Sequence, residues 1–151
     1  MIDAIDKEIL RTLQNDGRMS ATALAAEVGL TVAPCHRRLK DLEASGVISG
    51  YRAVVDPSSV GLGFEALVFV SLAQVDRTTI DKFEAEVSEN RRITSAQRLF
   101  GDPDYILKVA TKDLDEYQKF YDTELTSLPG VLRLRSTLVM KNLKPSAGLP
   151  L

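Results

Sequence analysis

The chain has 151 residues, of which 44% are hydrophobic and 26% are charged, and its formal net charge at pH 7 is −2. This composition is typical of a soluble globular protein, and the small negative charge excludes a global field that would attract nucleic acid or a membrane surface. Any attraction to an anionic partner must therefore come from a local patch.

The number of cysteines and the first few residues indicate the cellular compartment in which the protein is expected to act. Cys35 is the only cysteine, so no internal disulfide can form, and this usage is typical of a reducing compartment. Asp3 and Asp6 lie where a secretory signal would carry basic residues, and the longest apolar run, residues 66–70, is too short to cross a bilayer. We therefore expect a cytoplasmic protein with no membrane partner.

Three helical patterns occupy the start of the chain. Apolar residues at spacings of three and four mark one face of a first helix, which begins after Asp3 and ends before Gly17. A second, shorter helix ends at Gly29, and a third begins after Thr31. Because so few residues separate the second helix from the third, the pair predicts a helix-turn-helix.

A β-rich stretch and a linker follow the third helix. Residues 47–55 predict two short strands around a turn at Ser49-Gly50, which would form a wing. Residues 56–63 are rich in chain breakers. We assign residues 1–50 to a winged helix-turn-helix DNA-binding domain and residues 51–63 to a strand and linker.

The second half of the chain has the pattern β-α-β-β-α-β. The predicted strands lie at residues 64–75, 93–100, 105–111 and 131–143. Helical patterns with capping residues follow Thr78 and Asp113. This order is that of a ferredoxin-like unit, which we assign to residues 64–144, with a loose tail at residues 145–151. The whole chain is therefore expected to have an α+β fold.

Both faces of the first strand of this unit are apolar. Ala66, Val68 and Val70 alternate with Leu67 and Phe69, although two helices can cover only one face of the sheet. A bare apolar face of this kind is typical of a protein–protein interface. We expect two copies to pack sheet on sheet as a homodimer; the alternative is a monomer whose N-terminal domain covers the face.

The third helix carries a local positive patch that suits duplex DNA. A helix fits the major groove, where its first turns reach base edges, and a helix N-terminus favours a phosphate. We expect His36 and Arg37 to donate to guanine acceptors, and Arg38 and Lys40 to bind phosphates. The candidate DNA-binding residues are Arg18, Thr31, Val32, Ala33, His36, Arg37, Arg38 and Lys40.

Cys35 and His36, the only cysteine and the only histidine, are adjacent but do not predict a reactive site. Cys35 shares a helix face with Leu39 and Leu42, so we expect it to be a small core residue. His36 lies about 100° away around the helix, and a metal site needs three or four ligands. The sequence therefore predicts neither a catalytic pair nor a metal site.

Four stretches of the chain are distinctive in combination. They are residues 2–20, 28–51, 99–109 and 128–140. The first contains Asp-Gly-Arg before the second helix, and the next contains Gly-Val-Ile after the third. In these stretches, and in their spacing, the chain resembles the feast/famine, or Lrp/AsnC, family of transcriptional regulators over almost its whole length. The resemblance implies a C-terminal regulator-of-amino-acid-metabolism (RAM) domain that forms dimers, dimers that assemble into octamers, and amino-acid effectors bound between these domains.

The resemblance also implies an effector site at the hairpin loop that ends near Tyr105. The family motif GxxDYxL maps onto Gly101, Asp104, Tyr105 and Leu107, and the last strand would complete the pocket. Loop amides could bind a carboxylate and Asp104 an ammonium group; the alternative is that Gly-Asp-Pro-Asp is only a good hairpin turn. The candidate effector-binding residues are Leu99, Gly101, Asp102, Asp104, Tyr105, Ser136, Thr137 and Leu138.

The leading hypothesis is a sequence-specific DNA-binding transcriptional regulator, not an enzyme, modulated by a small effector that we expect to be an amino acid. Its partners would be double-stranded DNA, the effector, and itself as homodimer and octamer; no other cofactor is expected. The competing hypothesis is an enzyme that resembles sirohaem decarboxylases on the same fold, but His36 is the only histidine available. A third hypothesis is RNA binding by the ferredoxin-like unit, but RLFGDPDYI lacks the basic-aromatic run of RNA-recognition sheets.

Overall fold

The computed structural model describes residues 1–144 and 148–151, which form two compact units. Unit 1 comprises Met1–Val54 and Leu143–Leu151, and unit 2 comprises Val55–Asn142. The division between Val54 and Val55 falls inside the linker predicted at residues 51–63. In the described parts of the chain, no helix combines the length and the apolar character needed to cross a membrane.

Unit 1 contains the three predicted helices, α1 (Ala4–Asn15), α2 (Ala21–Glu27) and α3 (Val32–Ala44). Capping explains where the first two begin. Asp3 accepts a hydrogen bond from the Asp6 amide at 2.8 Å, and Asp6 accepts one from the Asp3 amide at 3.1 Å. Ser20 likewise accepts from the Ala23 amide ahead of α2, at 3.1 Å.

The core of unit 1 lies where the three helices meet. Its fully or almost fully buried residues are Ile9, Leu24, Ala25, Cys35 and Leu42. They fall at helical spacing on one face of each helix, as the sequence predicts. The expectation that Cys35 is a core residue is confirmed, because none of its surface is exposed. Burial also raises the pKa of its thiol, so it remains uncharged.

The predicted strands of the wing do not form. Residues 47–55, all of which the structure describes, contain no strand and are mostly exposed. The amide of Ile48 donates to Leu42 O of α3 at 3.1 Å. The start of this segment is therefore hydrogen-bonded to the end of the helix and not to a neighbouring strand. A two-stranded hairpin this short is marginal in water, which explains the difference.

The end of the chain is bound to α1, so the prediction of a loose tail is wrong for its last residues. Arg11 donates to the backbone oxygen of Leu151 through Nε at 2.9 Å and through Nη2 at 2.8 Å. Gln14 Nε2 donates to Leu149 O at 3.2 Å, and the Leu149 amide donates back to Gln14. The same prediction for residues 145–147 lies outside the described residues.

Unit 2 has the predicted order of elements, which confirms the α+β fold. The elements are β1 (Phe64–Leu72), α4 (Arg77–Glu89), β2 (Ile93–Arg98), β3 (Tyr105–Thr111), α5 (Leu114–Thr123) and β4 (Val131–Leu138). The strands form one antiparallel sheet in the order β2-β3-β1-β4. Asp76 and Asp113 cap the two helices by accepting from the Thr79 and Glu116 amides, at 3.0 and 2.8 Å.

The two faces of the sheet differ in a way that β1 alone did not indicate. On the face that packs against α4 and α5, Val68 and Leu107 are fully buried. On the opposite face, Phe69 is half-buried and the Arg135 guanidinium lies 4.8 Å from the centroid of its ring. An ion pair between Lys108 Nζ and Glu65 Oε2, at 3.2 Å, lies on this second face. The second face is therefore apolar at its centre and charged around it.

Candidate functional site

The first three turns of α3 present most of the predicted DNA-binding residues to solvent. Six of the eight candidates lie on or just before this helix and are exposed: Thr31, Val32, Ala33, His36, Arg37 and Lys40. The burial of Cys35 and Leu42 fixes the opposite side of α3 in the core. The helix can therefore offer small, apolar and cationic groups together, as a reader of base edges requires.

The start of α3 leaves room for an anion. In the described structure the Thr31 side chain makes no cap hydrogen bond, whereas Asp3 and Ser20 do cap their helices. The amides of a first helical turn have no intrahelical partner, and the helix dipole adds partial positive charge there. These amides remain available to a phosphate oxygen.

Arg38 departs from the prediction, because its guanidinium is bound inside unit 1. Nη1 lies 2.7 Å from Asp3 Oδ2 and 2.7 Å from Asp6 Oδ1. The Asp6 amide and the Arg38 guanidinium both lower the pKa of Asp3. We therefore correct the assignment of Arg38 to a phosphate contact: this residue holds the start of α1 against α3.

Lys40 and Arg18 remain exposed. Lys40 Nζ lies 3.0 Å from Glu43 Oε2, one turn further along α3, and its side chain keeps 62% of its surface exposed. Hydrogen bonds from Lys40 and from the Tyr51 hydroxyl lower the pKa of Glu43. A surface pair of this kind contributes about 0–1 kcal/mol, so Lys40 can exchange Glu43 for a phosphate at small cost. The backbone of Arg18 donates to Asp16 at 3.0 Å, which orders the turn before α2.

The hairpin loop between β2 and β3 is fastened to β1 by Asp104. Its Oδ2 accepts from the Leu72 amide at 2.7 Å, its own amide donates to Val70 O at 2.9 Å, and its carbonyl accepts from the Leu99 amide at 2.8 Å. The sequence identified this residue as an acceptor for an ammonium group. Its structural role was not predicted, because the two partners in β1, Leu72 and Val70, lie more than thirty residues away in sequence.

The tip of the same loop is open to solvent. Gly101 and Asp102 are exposed, and so is the whole side chain of Phe100. Gly101 has a φ of 152°, a conformation that other residues rarely adopt, so glycine is needed at this position of the motif. An exposed aromatic ring beside exposed amides is suited to contact with another molecule.

The predicted effector residues do not come together within one chain. Directly opposed residues of an antiparallel strand pair lie on the same face of the sheet. Ser136 is opposite Val68, so it faces the helices, where it hydrogen-bonds Tyr117. Thr137 is opposite Leu67 and therefore lies on the other face. Leu138, opposite Ala66, lies on the same side as Ser136. Moreover, β3 and β4 lie on either side of β1, which separates the loop from β4 by roughly 9.5 Å.

Tyr105 ends in a small cleft that the sequence did not predict. Its hydroxyl donates to Glu84 Oε1 at 2.7 Å, and Arg98 Nη1 lies 3.7 Å from the same oxygen. Burial, together with the Glu84 carboxylate, raises the pKa of Tyr105, which keeps it protonated. Glu84 and Arg98 could have been suspected, since each is a charge on the apolar face of its element.

Among the described residues, no group of three or more potential metal-ligating side chains occurs. Cys35 is buried in the core of unit 1, whereas His36 is exposed.

Comparison with known proteins accounts for both units. Residues 2–49 match the model of a winged helix-turn-helix DNA-binding domain, and residues 65–149 match that of the Lrp/AsnC ligand binding domain. The DNA-binding transcriptional activator DecR of Escherichia coli is 34% identical over 151 residues, which are 100% of this chain and 99% of the relative. A leucine-responsive regulatory protein of Haemophilus influenzae is 37% identical over 143 residues, 95% of this chain and 86% of the relative.

A solved structure agrees with these matches. The crystal structure of a transcriptional regulator from Neisseria meningitidis in complex with L-methionine has a TM-score of 0.94, with 34% identity over 99% of this chain and 97% of that one. DecR is named as a transcriptional activator and the Neisseria meningitidis protein as a transcriptional regulator, which favours a regulator over a sirohaem-decarboxylase-like enzyme. The chain belongs to the Lrp/AsnC family of transcriptional regulators.

Proposed function

We propose that this protein is a sequence-specific transcriptional regulator that inserts α3 into the major groove of DNA and responds to a small effector, an amino acid. The observation that carries the proposal is the exposed cationic face of α3 on a helix-turn-helix whose other side is fixed in the core. A protein of this function acts in the cytoplasm, where its DNA target lies.

The exposed residues of α3 divide between bases and backbone. Arg37 and His36 donate to guanine acceptors, and Val32 and Ala33 approach thymine methyl groups. Phosphates are bound by Lys40, by Arg18 and by the open amides at the start of α3, which Thr31 leaves uncapped in the described structure. Arg38 acts on DNA only indirectly, by fixing α3 against α1.

Dimerisation would pair two copies of α3. The second face of the sheet has an apolar centre at Leu67, Phe69 and Ile106, all half-buried, with charges around it. An apolar centre with a polar rim is the usual anatomy of a protein–protein interface. Two copies joined there form a homodimer that reads a roughly palindromic operator, with half-sites one helical turn apart or a multiple of it.

Further assembly explains why the predicted effector residues are separated in one chain. If dimers gather into octamers, the loop at residues 99–105 of one copy and the β4 residues 136–138 of another can close one pocket. The regulator from Neisseria meningitidis binds L-methionine. We therefore propose an amino acid as the effector of this protein also.

DNA titration tests the main proposal. Fluorescence anisotropy with the duplex upstream of the protein's own gene should show binding at low salt, with log affinity falling linearly against log salt concentration. Arg37→Ala should weaken binding, whereas Arg77→Ala, at an exposed arginine of unit 2, serves as the matched control and should not. Absence of binding by the wild type at low salt would refute the proposal.

The effector is tested separately. Thermal unfolding is followed with each of the twenty amino acids, because a ligand at one hundred times its dissociation constant adds about 2.7 kcal/mol of stability. Any amino acid that stabilises the protein should also change the anisotropy titration. Stabilisation without a change in DNA affinity would separate ligand binding from regulation.

A further inference from the structure

The cationic face of α3 includes a carboxylate. His36, Lys40 and Glu43 lie at i, i+4 and i+7, a spacing that places all three side chains on one stripe of the helix. Glu43 is one of two acidic residues of α3, and the other is Asp41. Because DNA is a polyanion, a carboxylate on this stripe works against the binding that we propose for α3.

Glu43 holds the side chain of Lys40. Lys40 Nζ lies 3.0 Å from Glu43 Oε2, and the Glu43 side chain is only 30% exposed. The carboxylate therefore occupies the same ammonium group that we assign to a phosphate of the DNA backbone. Hydrogen bonds from Lys40 and from Tyr51 lower the pKa of Glu43, which keeps the carboxylate ionised at neutral pH.

Tyr51 binds the other oxygen of the same carboxylate. Its hydroxyl donates to Glu43 Oε1 at 3.1 Å. The Tyr51 ring packs beside the turn before α2, where a Cβ added to Gly17 would lie 3.6 Å from ring Cδ1. Surface ion pairs are weak partly because two long side chains lose conformational freedom when they pair. Since Tyr51 already restrains Glu43, the pair with Lys40 forms at a smaller entropic cost.

We propose that Glu43 competes with the DNA backbone for Lys40, and that Tyr51 positions Glu43 for this competition. The inference rests on the proposed binding of DNA by α3 and adds a restraint on its strength. In the free protein Lys40 is paired with Glu43, and it must leave that carboxylate before it binds a phosphate. The affinity for DNA is therefore lower than the cations of α3 alone would give.

The place of Tyr51 in the chain gives this competition a route of control. Tyr51 is close to the end of the main segment of unit 1, Met1–Val54, after which the chain continues into unit 2. A change in the course of the chain here that withdraws the Tyr51 hydroxyl weakens the hold of Glu43 on Lys40. The affinity for DNA then rises without a movement of α3 itself.

Anisotropy titrations of the full chain measure the competition. Glu43→Gln keeps the size of the side chain and an acceptor for Tyr51 but removes the charge, and it should tighten DNA binding about two- to fivefold. Asp41→Asn is the matched control, because it removes the other, exposed acidic charge of α3 and leaves the Lys40–Glu43 pair in place. An equal gain in both variants would show a response to net charge and would overturn the proposal.

A double-mutant cycle with Lys40→Ala isolates the pair. Once Lys40 is absent, Glu43→Gln should give no larger gain than Asp41→Asn gives in the same background. A gain of full size there would mean that Glu43 repels DNA by itself, which is the result that excludes competition for Lys40.

The sequence of the duplex gives a further criterion. Because Lys40 is assigned to the backbone, the gain in Glu43→Gln should be equal on a preferred duplex and on an unrelated one. A change confined to the preferred duplex would instead place Glu43 against a base, since a glutamate can accept a hydrogen bond from cytosine N4. That outcome also contradicts the proposal.

Tyr51→Phe removes only the hydroxyl and leaves every charge of α3 in place. It should tighten DNA binding by less than Glu43→Gln does, and it should add nothing in the Glu43→Gln background. Tyr121→Phe, in α5 of unit 2, is the matched control and should bind as the wild type does. Weaker binding by Tyr51→Phe, or an independent gain in the double variant, would remove Tyr51 as a positioning residue.

The same titrations separate this inference from the proposed function. If the wild type binds no duplex at low salt, the proposed function fails and the competition fails with it. If the wild type binds but Glu43→Gln only matches Asp41→Asn, the competition alone fails and DNA binding by α3 stands.

Discussion

Arg38 of α3 and Asp6 of α1 form an ion pair in which Nη1 and Oδ1 are 2.7 Å apart and the aspartate side chain is only 12% exposed. The same guanidinium nitrogen also lies 2.7 Å from Oδ2 of Asp3, the N-cap of α1. A cation from α3, the helix that we propose reads DNA, thus binds both carboxylates of the capping box at the start of α1. Through this contact the stability of unit 1 and the orientation of α3 depend on one residue.

Arg38→Ala should destabilise the protein. It removes the cation that partners the Asp6 carboxylate, and a buried polar group that loses its partner costs about 1–3 kcal/mol. Urea unfolding measures the change. Arg37→Ala, next in sequence but exposed, is the control and should lie within about 0.5 kcal/mol of the wild type. If Arg38→Ala were as stable as the wild type and lost more DNA affinity than Arg37→Ala, the phosphate assignment would have to be restored.

Asp3 gives this contact a pH dependence. The Asp6 amide and then Arg38 lower the pKa of Asp3 in the folded protein. A carboxyl group whose pKa falls on folding stabilises the fold above its unfolded pKa, about 3.9, and this contribution is lost as the pH drops through the lower folded value. Asp3→Asn keeps a capping oxygen but cannot ionise. Its free energy of unfolding should therefore fall less steeply below about pH 4 than that of the wild type.

Urea midpoints of the two proteins, measured from about pH 2 to pH 6, check this expectation. Parallel curves for Asp3→Asn and the wild type would mean that Asp3 contributes nothing to the acid sensitivity. Adding Arg38→Met to each protein forms a double-mutant cycle. The pH-dependent difference should shrink in the Arg38→Met background, because that cation is the second cause of the lowered pKa.

Helical spacing was sufficient to predict the unit 1 core but not the partners of its charged residues. The positions of Cys35 and Leu42 follow from periodicity within α3 alone. Arg38 lies on the flank of the same helix, where its side chain can turn outward or toward α1. The choice depends on Asp3 and Asp6, more than thirty residues away in sequence. The pattern of residues along one helix carries no information about which distant residues its charged side chains will contact.

The same limit explains the loop and the cleft of unit 2. The pattern GDPD predicted the turn, and alternation predicted the strands that flank it. The bond from Leu72 to Asp104 and the approach of Glu84 to Arg98 depend on strand register and on how α4 lies over the sheet. Alternation along a single strand does not fix the register of its neighbours. The two short strands predicted at residues 47–55 were wrong for a related reason, because β propensity over a few residues does not guarantee a partner strand.

Lys40→Ala should weaken DNA binding to a similar extent on all sequences and reduce the slope of log affinity against log salt by about one. The reason is that Lys40 is exposed and its partner Glu43 can be exchanged for a phosphate. Arg37→Ala should instead cost about 1–3 kcal/mol on the preferred site and relax the preference at one base pair. Anisotropy titrations at several salt concentrations distinguish the two.

Lys119→Ala is the matched control for Lys40→Ala, since Lys119 is an exposed lysine of α5 in unit 2. It should leave both the affinity and the slope unchanged. An equal loss in the control would show that binding responds to total charge and not to the face of α3. An unchanged slope in Lys40→Ala would remove Lys40 from the phosphate contacts.

Phe69→Asp should dissociate the proposed dimer. Phe69 lies at the apolar centre of the second sheet face, half-buried, with the Arg135 guanidinium 4.8 Å from its ring centroid. A buried aromatic residue at the centre of an interface commonly contributes at least about 2 kcal/mol, and its replacement by a carboxylate adds the penalty of an unpaired charge. Sedimentation velocity at several protein concentrations should therefore show a smaller species than the wild type.

The control is Leu114→Asp, at the exposed start of α5, where a negative charge interacts favourably with the helix dipole. It introduces the same charge on unit 2 and should sediment as the wild type does. Urea unfolding must show that Phe69→Asp remains folded, since a half-buried site tolerates a carboxylate better than a core position does. A folded Phe69→Asp variant that sediments with the wild type would exclude this face as the dimer interface. The palindromic operator would then lose its structural basis, because nothing else proposed for this chain pairs two copies of α3.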